Sequence, residues 1–216
     1  IVNLSSNRLS TPGYLKLGWQ KTDTIIRFMF RFNLIALFKN KMKNLSDLRI
    51  KGQDAKEFSI LSKIPFSELE KFNKNYTKHN INIRNSDYYK WKYLLSDNRF
   101  FYAETRVYGE LQSYVIIKKL NKIHYAIEES GFNDVSDLKF MARNVQKSLN
   151  IPVLRAITIN NTSLKELKKC GFILEPKLIL KLMGLKRMPI IVKAHKQAEL
   201  RDLNFDNWKI ELADVH

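Results

Sequence analysis

The 216-residue chain has a single cysteine, Cys170. That excludes an internal disulfide framework and a multi-cysteine zinc site, and a reducing cytoplasm is the expected compartment. The four histidines, His79, His124, His195 and His216, are scattered and show no HExxH spacing, so no metal is expected. Acidic side chains are few beside basic ones: 21 Asp and Glu against 38 Lys and Arg leave a formal net charge of +17. A long apolar run is missing as well. The most apolar stretch, 25–38, carries Arg27 and Arg31 and is too short to span a bilayer. Near the N-terminus no basic region precedes a compact apolar core, so no signal peptide is read there.

The chain does have enough apolar material for a core. A hydrophobic content of 44%, with 12% aromatic, suits one domain or two small ones. The positive field attracts phosphates, nucleic acid or anionic membrane. The joint richness in Lys, Asn and Ile is also a compositional bias that requires no partner. The first residue is Ile1, in what reads as the tail of a strand, as expected of a piece of a longer parent.

Along the chain, IVN is followed by SSNRLSTPGYLKLGW, a helix with Ser6 and Asn7 as caps and Gly18 as its left-handed stop. Ile26, Phe28, Phe30 and Phe32 then alternate with Arg27, Met29, Arg31 and Asn33. This period of two predicts a strand, the alternative being an amphipathic helix on a membrane surface. Residues 39–60 are polar, basic and weakly periodic, and read as a connector. Residues 67–78 predict a helix with Ser67 as N-cap and Glu70 completing a capping box, and 86–95 predict a second. FFYAETRV, a turn at Tyr108-Gly109-Glu110, and QSYVIIKKL make a hairpin; KIHYAIEE is a third strand. Asn133 or Ser136 caps a helix whose apolar positions are Leu138, Met141, Ala142, Val145 and Leu149. The strand VLRAITI, the helix SLKELKKC and strands at FILEP and LILKLM follow. The order is mixed α/β.

Two segments repeat. Asn7-x6-Tyr14-x3-Gly18-Trp19 aligns with Asn160-x6-Leu167-x3-Gly171-Phe172, each after a strand ending in Asn and each leading into another strand. Ser10 and Ser163 hold the small-residue position. The pattern resembles the closing half of the GNAT acyltransferase fold, in a tandem arrangement found among bacterial N-acetyltransferases that modify sugars and polysaccharides. The resemblance implies a central mixed sheet flanked by helices. Residues 1–38 would be the C-terminal part of a first domain, 39–84 a basic linker and helix, and 85–216 a second domain. NWKIELAD resembles a closing strand of such chains.

The resemblance also implies chemistry: transfer of acetyl from acetyl-CoA, as co-substrate and without metal, to a small amine acceptor such as an amino sugar. Tyr14 matches the tyrosine that protonates the leaving coenzyme A thiolate, a general acid. Asn7, Ser10 and Asn160 match positions beside the cofactor arm, near a helix N-terminus whose free N–H groups suit an anion. Packing between helix and sheet is the plainer reading of Tyr14.

Two departures bear on the second copy. The family's glycine-rich phosphate cradle falls at 129–137, ESGFNDVSD, where one glycine, Gly131, and no basic residue occur. Leu167 stands where the acid would be. Glu104, Glu128 and Glu129 lie where a base could sit, although solvated strand-end carboxylates are the plainer reading. His124 reads as a core or edge histidine and Cys170 as a packing residue. Tyr88, Tyr89, Trp91 and Tyr93 either pack on the sheet or line an acceptor pocket. Two other functions stay open. One is a non-catalytic GNAT-like binding or scaffold module. The other is a basic nucleic-acid binder, against which stands the lack of a helix-turn-helix, RNP or zinc-finger signature. Exposed strand edges would recruit cover, a second copy among the candidates.

Overall fold

The computed structural model describes residues 2–3, 11–39, 48–51, 56–75, 85–94, 100–158, 161–175 and 189–192. Short elements open the chain: β1 (Val2–Asn3), α1 (Thr11–Lys16), β2 (Gln20–Ile25), β3 (Arg27–Phe32) and α2 (Leu34–Lys39). Next come β4 (Leu48–Lys51), β5 (Lys56–Leu61), α3 (Phe66–Asn75) and α4 (Ser86–Tyr89), which continues as a π-helical turn over Lys90–Leu94. The longest elements follow: β6 (Phe100–Val107), β7 (Glu110–Lys119), β8 (His124–Phe132) and α5 (Val135–Ser148). The last are β9 (Val153–Thr158), α6 (Asn161–Lys169), β10 (Ile173–Leu174) and β11 (Pro189–Val192).

Eight strands form one mixed sheet in the order β10-β3-β9-β8-β7-β6-β5-β4, and three form a second, β1-β11-β2. The β6–β7 hairpin closes through Tyr108 and Gly109, with φ of 51° and 84°. Two left-handed residues of this kind match the twist of the strands they join. Among the described residues only β8 and β9 pair in parallel, joined by the crossover helix α5. Helix α5 buries Leu138, Met141, Ala142 and Val145, and with α6 covers one face over Val115, Ile117, Tyr125, Ile127 and Leu154. Helices α3 and α4 cover the other face at Tyr102, Tyr114 and Ile116.

The repeat closes in the same way twice. Trp19 N–H donates to Tyr14 O (3.1 Å) and Gly18 N–H to Leu15 O; Phe172 N–H donates to Leu167 O (3.0 Å) and Gly171 N–H to Lys168 O. Gly18 and Gly171 carry φ of 81° and 83°. Both helices thus end in the same Schellman turn, with glycine where a Cβ would be strained.

In each sheet a strand from elsewhere in the chain lies between the two strands that flank a repeat helix. β3, which follows the first helix, lies antiparallel between β9 and β10. β11, which follows the second, lies antiparallel between β1 and β2. Only Ile26, fully buried, separates β2 in one sheet from β3 in the other. The period-two reading of 26–32 therefore holds, and a surface helix there does not.

Other expectations change. β4 and β5 fall inside 39–60, which reads as a connector because its charges mask a strand pair at the end of the sheet. Ser67 does not cap α3: Phe66 already begins the helix and the carbonyl of Pro65 accepts Glu68 and Leu69 N–H. Glu70 instead accepts Ser86 N–H at the start of α4, 2.8 Å away. Asp134, rather than Asn133 or Ser136, caps α5. The strand at LILKLM, the segment NWKIELAD, and His79, His195 and His216 lie outside the described residues.

Candidate functional site

The parallel pair is short. β8 and β9 are in register only from His124 with Val153 to Ala126 with Arg155, although both strands run on, to Phe132 and Thr158. Beyond Ala126 the two strands leave the ladder and open between them. The β7–β8 register also shifts between Ile116, opposite Glu129, and Ile117, opposite Ile127, with Glu128 between the two, the geometry of a bulge that re-aims a side chain.

Charged groups gather at this opening. Glu128 is fully buried, with Lys118 Nζ 3.9 Å from Oε1. Arg155, the last residue of β9 to pair with β8, is buried with its guanidinium 5.3 Å from the Phe28 ring centroid. Burial lowers its pKa to about 10, against the attraction of Glu128, which raises it. His124 is buried beside Phe30, and desolvation, then the Arg155 charge, pushes it down to about 4. His124 Nε2 and Arg155 Nε find no hydrogen-bond partner among the described residues. Arg155 is a residue sequence reasoning passed over. Its signal was a lone cation within the otherwise apolar run VLRAITI.

Glu129 has a different setting. It is fully buried, and Oε1 accepts the hydroxyls of Tyr89 (2.6 Å) and Tyr114 (3.0 Å), while Oε2 accepts Tyr93 (3.2 Å). Asn73 Nδ2 reaches the Tyr114 hydroxyl at 3.0 Å. Tyr89 and Tyr93, four apart, present their hydroxyls from one side of α4 and its π-helical extension, and the rings pack on the sheet; Trp91 is exposed. Glu104 accepts from Tyr102 (3.0 Å) and from Arg106 Nε (2.7 Å), while Arg106 also grips Glu68 through Nη1 and Nη2. Hydrogen bonds to Glu68 and Glu104 raise the Arg106 pKa. Burial and the Glu104 charge raise that of Tyr102. None of the three carboxylates is a solvated strand end. Glu104 and Glu129 have their oxygens occupied by protein donors, the arrangement of a structural carboxylate rather than of a base awaiting an amine.

The N-terminus of α5 is where a phosphate cradle was expected. Asp134 accepts Ser136 N–H there at 2.6 Å, and Asp137 in the first turn pairs with Lys56 at 2.8 Å. Of the donors that a pyrophosphate would need, Ser136 N–H meets a carboxylate and Asp137 and Leu138 N–H meet the Asp134 carbonyl instead. Gly131 makes no nest. It lies in β8 against the rings of Tyr114 and Phe72. Cys170 is buried, its thiol pushed up to about 11 by burial and then by Glu166, in keeping with a packing role.

In the first copy, Tyr14 stands on α1, half-buried and edge-on to Trp19 at 5.3 Å. Leu167 holds the matching place on α6 and is buried. Asn7, Ser10 and Asn160 lie outside the described residues. No group of His, Cys, Asp and Glu among the described residues could hold a metal ion.

No family model matches the chain, and no curated protein matches it significantly. Among solved structures it is similar to a conserved protein of unknown function from Staphylococcus epidermidis, with 10% identity, TM-score 0.46, and 88% of this chain and 67% of that one covered. It is also similar to a tandem GNAT protein from the clavulanic acid biosynthesis pathway, with 10% identity, TM-score 0.44, and 88% and 61% covered. A third is the C-terminal domain of a putative lysylphosphatidylglycerol synthetase from Agrobacterium fabrum, with 11% identity, TM-score 0.44, and 93% and 69% covered. The chain thus spans less than two thirds of the tandem GNAT protein. TM-scores under 0.5 leave the reading of this chain to its own geometry.

Proposed function

We propose that the chain belongs to a GNAT-type N-acyltransferase that moves an acetyl group from acetyl-CoA to a small amine acceptor, an amino sugar being the class the sequence resemblance favours. The working site belongs to the copy that contains β1, α1 and β2. The copy built on β5–β10 is its scaffold, and the strands β3 and β11 hold the two together.

One contrast carries this reading. The two copies close in the same Schellman geometry, yet the first presents a hydroxyl, Tyr14, at the turn where the second has buried Leu167. A phenol one turn before the helix end can pass its proton to a departing thiolate, and a leucine cannot. The self-capped start of α5 agrees with a second copy that takes no cofactor. Asn7 and Ser10, just before α1 in sequence, are assigned to the cofactor arm, and Asn160 to its counterpart in the scaffold copy.

Calorimetric titration with acetyl-CoA tests the assignment, with coenzyme A and ATP as controls for charge. Saturable binding of acetyl-CoA and coenzyme A but not ATP, weakened by Asn7→Ala and Tyr14→Phe, is the expected result. Binding of all three anions alike, lost on adding salt, would reduce it to charge attraction. No binding at all would favour the second reading, a non-catalytic GNAT-like module, which the acidic cap Asp134 supports for the second copy.

A further inference from the structure

Helix α2 turns apolar side chains outward. Leu34, Ile35 and Phe38 are 66, 67 and 87% exposed, while Ala36 between them is buried. Spacings of three and four residues put Leu34, Ile35 and Phe38 on one side of the helix. Two backbone hydrogen bonds fix what stands beside it. Asn33 N–H donates to Pro152 O (2.8 Å), and Val153 N–H donates to Ile123 O (3.0 Å). The start of α2 is thereby tied to the start of β9, and that to the turn between β7 and β8. This turn adds Leu120 and Ile123, both exposed. The apolar groups therefore collect at one end of the sheet, away from the opening between β8 and β9.

The sequence of these two segments carries charge of one sign. Lys119 and Lys122 flank the turn, and Lys39, Lys41 and Lys43 follow Phe38 in the sequence. No Asp or Glu occurs from 24 to 46 or from 111 to 127. Such a pairing of protruding apolar groups with uninterrupted basic sequence is that of a segment lying in a membrane interface. A polyanion would answer the lysines alone, and an apolar protein groove the helix alone. A bilayer of anionic phospholipid answers both. No described helix is long and apolar enough to cross a membrane, so contact would be confined to the interface.

We propose that this end of the molecule, α2 together with the β7–β8 turn, docks on the surface of an anionic lipid bilayer. Ile35, Phe38 and Ile123 enter the headgroup boundary, and the lysines meet lipid phosphates. The surface is independent of the acyltransfer reading and stands whether or not the chain binds coenzyme A.

Co-sedimentation of the full chain with vesicles of phosphatidylglycerol and phosphatidylcholine, against vesicles of phosphatidylcholine alone, is the test. Binding to the anionic vesicles at least roughly ten-fold stronger is expected. The double variant Ile35→Asp, Phe38→Asp should lose it with an unchanged melting temperature, because both side chains are exposed. The milder Phe38→Ser should lose part of it. Lys119→Glu with Lys122→Glu should weaken binding and flatten its salt dependence. Anionic binding untouched by the apolar variants, and matched by a single-stranded oligonucleotide, would overturn the proposal in favour of charge alone. A dimer in sedimentation velocity that Phe38→Asp dissolves would overturn it in favour of a second copy.

Discussion

Gly131 lies against the ring edge of Tyr114, so close that a Cβ at 131 would overlap the ring and stand 2.7 Å from Cε1 of Phe72. The glycine is there for the ring. Tyr114 must sit low on the sheet for its hydroxyl to reach Glu129 at 3.0 Å, and a bare Cα makes the space. Gly131→Ala should therefore destabilise the fold by about 1–3 kcal/mol, the usual effect of forcing a methyl into a packed core. Urea denaturation reads that loss. Affinity for acetyl-CoA should not change in the folded variant. A fall in affinity at unchanged stability would restore Gly131 to a phosphate cradle.

His124 carries a pH dependence whose sign follows from its setting. Burial and the nearby Arg155 charge hold its folded pKa at about 4, below the ordinary 6.5. Between those values the unfolded chain binds the proton and the folded chain does not. The stability that neutral His124 contributes is thus complete above pH 6.5 and is lost as the pH falls toward 4, by on the order of 2–3 kcal/mol. Arg155, whose pKa lies at about 10, stays charged throughout that window. His124→Gln, which cannot take a proton, should remove this slope from the acid limb of a stability profile. Identical slopes in the two proteins would assign the acid loss to the carboxylates.

Local features were the legible ones. The two-residue hairpin at Tyr108 and Gly109, the apolar face of α5 and the glycine stops at 18 and 171 each depend on residues within a few positions, so composition and spacing reveal them. What pairs across the chain did not show. Glu129 reads as solvated because its partners come from other elements, Tyr89 and Tyr93 from the α4 segment and Tyr114 from β7, and Glu104 because the Arg106 beside it on β6 is held in turn by Glu68 of α3. A carboxylate in an apolar strand together with tyrosines four apart on a helix was the available clue. β4 and β5 were hidden for a related reason. Strands with charged residues on their outer positions carry a weak alternation. The place of Tyr14 one turn before a glycine stop was legible from the repeat, but the pairing of β3 with β9 was not, since the two strands meet across more than a hundred residues of intervening chain.

β3 is a structural element of the eight-stranded sheet, although β2, just before it in sequence, lies in the other sheet. Phe28, Met29 and Phe30 are all buried, and β3 is the only described strand that bridges β9 to β10. Without it, β9 loses a six-residue ladder running from Arg27 opposite Thr158 to Phe32 opposite Val153, and an apolar edge is opened to solvent. A chain starting at residue 40 should therefore express as an aggregating or loosely packed species, with exposed hydrophobic surface that binds dye. A synthetic peptide spanning residues 24–36, supplied in trans, should restore a cooperative unfolding transition by strand addition. The same peptide with Met29→Pro should not, because proline removes a ladder donor in a central strand. A shortened chain that unfolds cooperatively without any peptide would show that β5–β10 holds its own core, and β3 would then be a tether between the copies rather than a part of the fold.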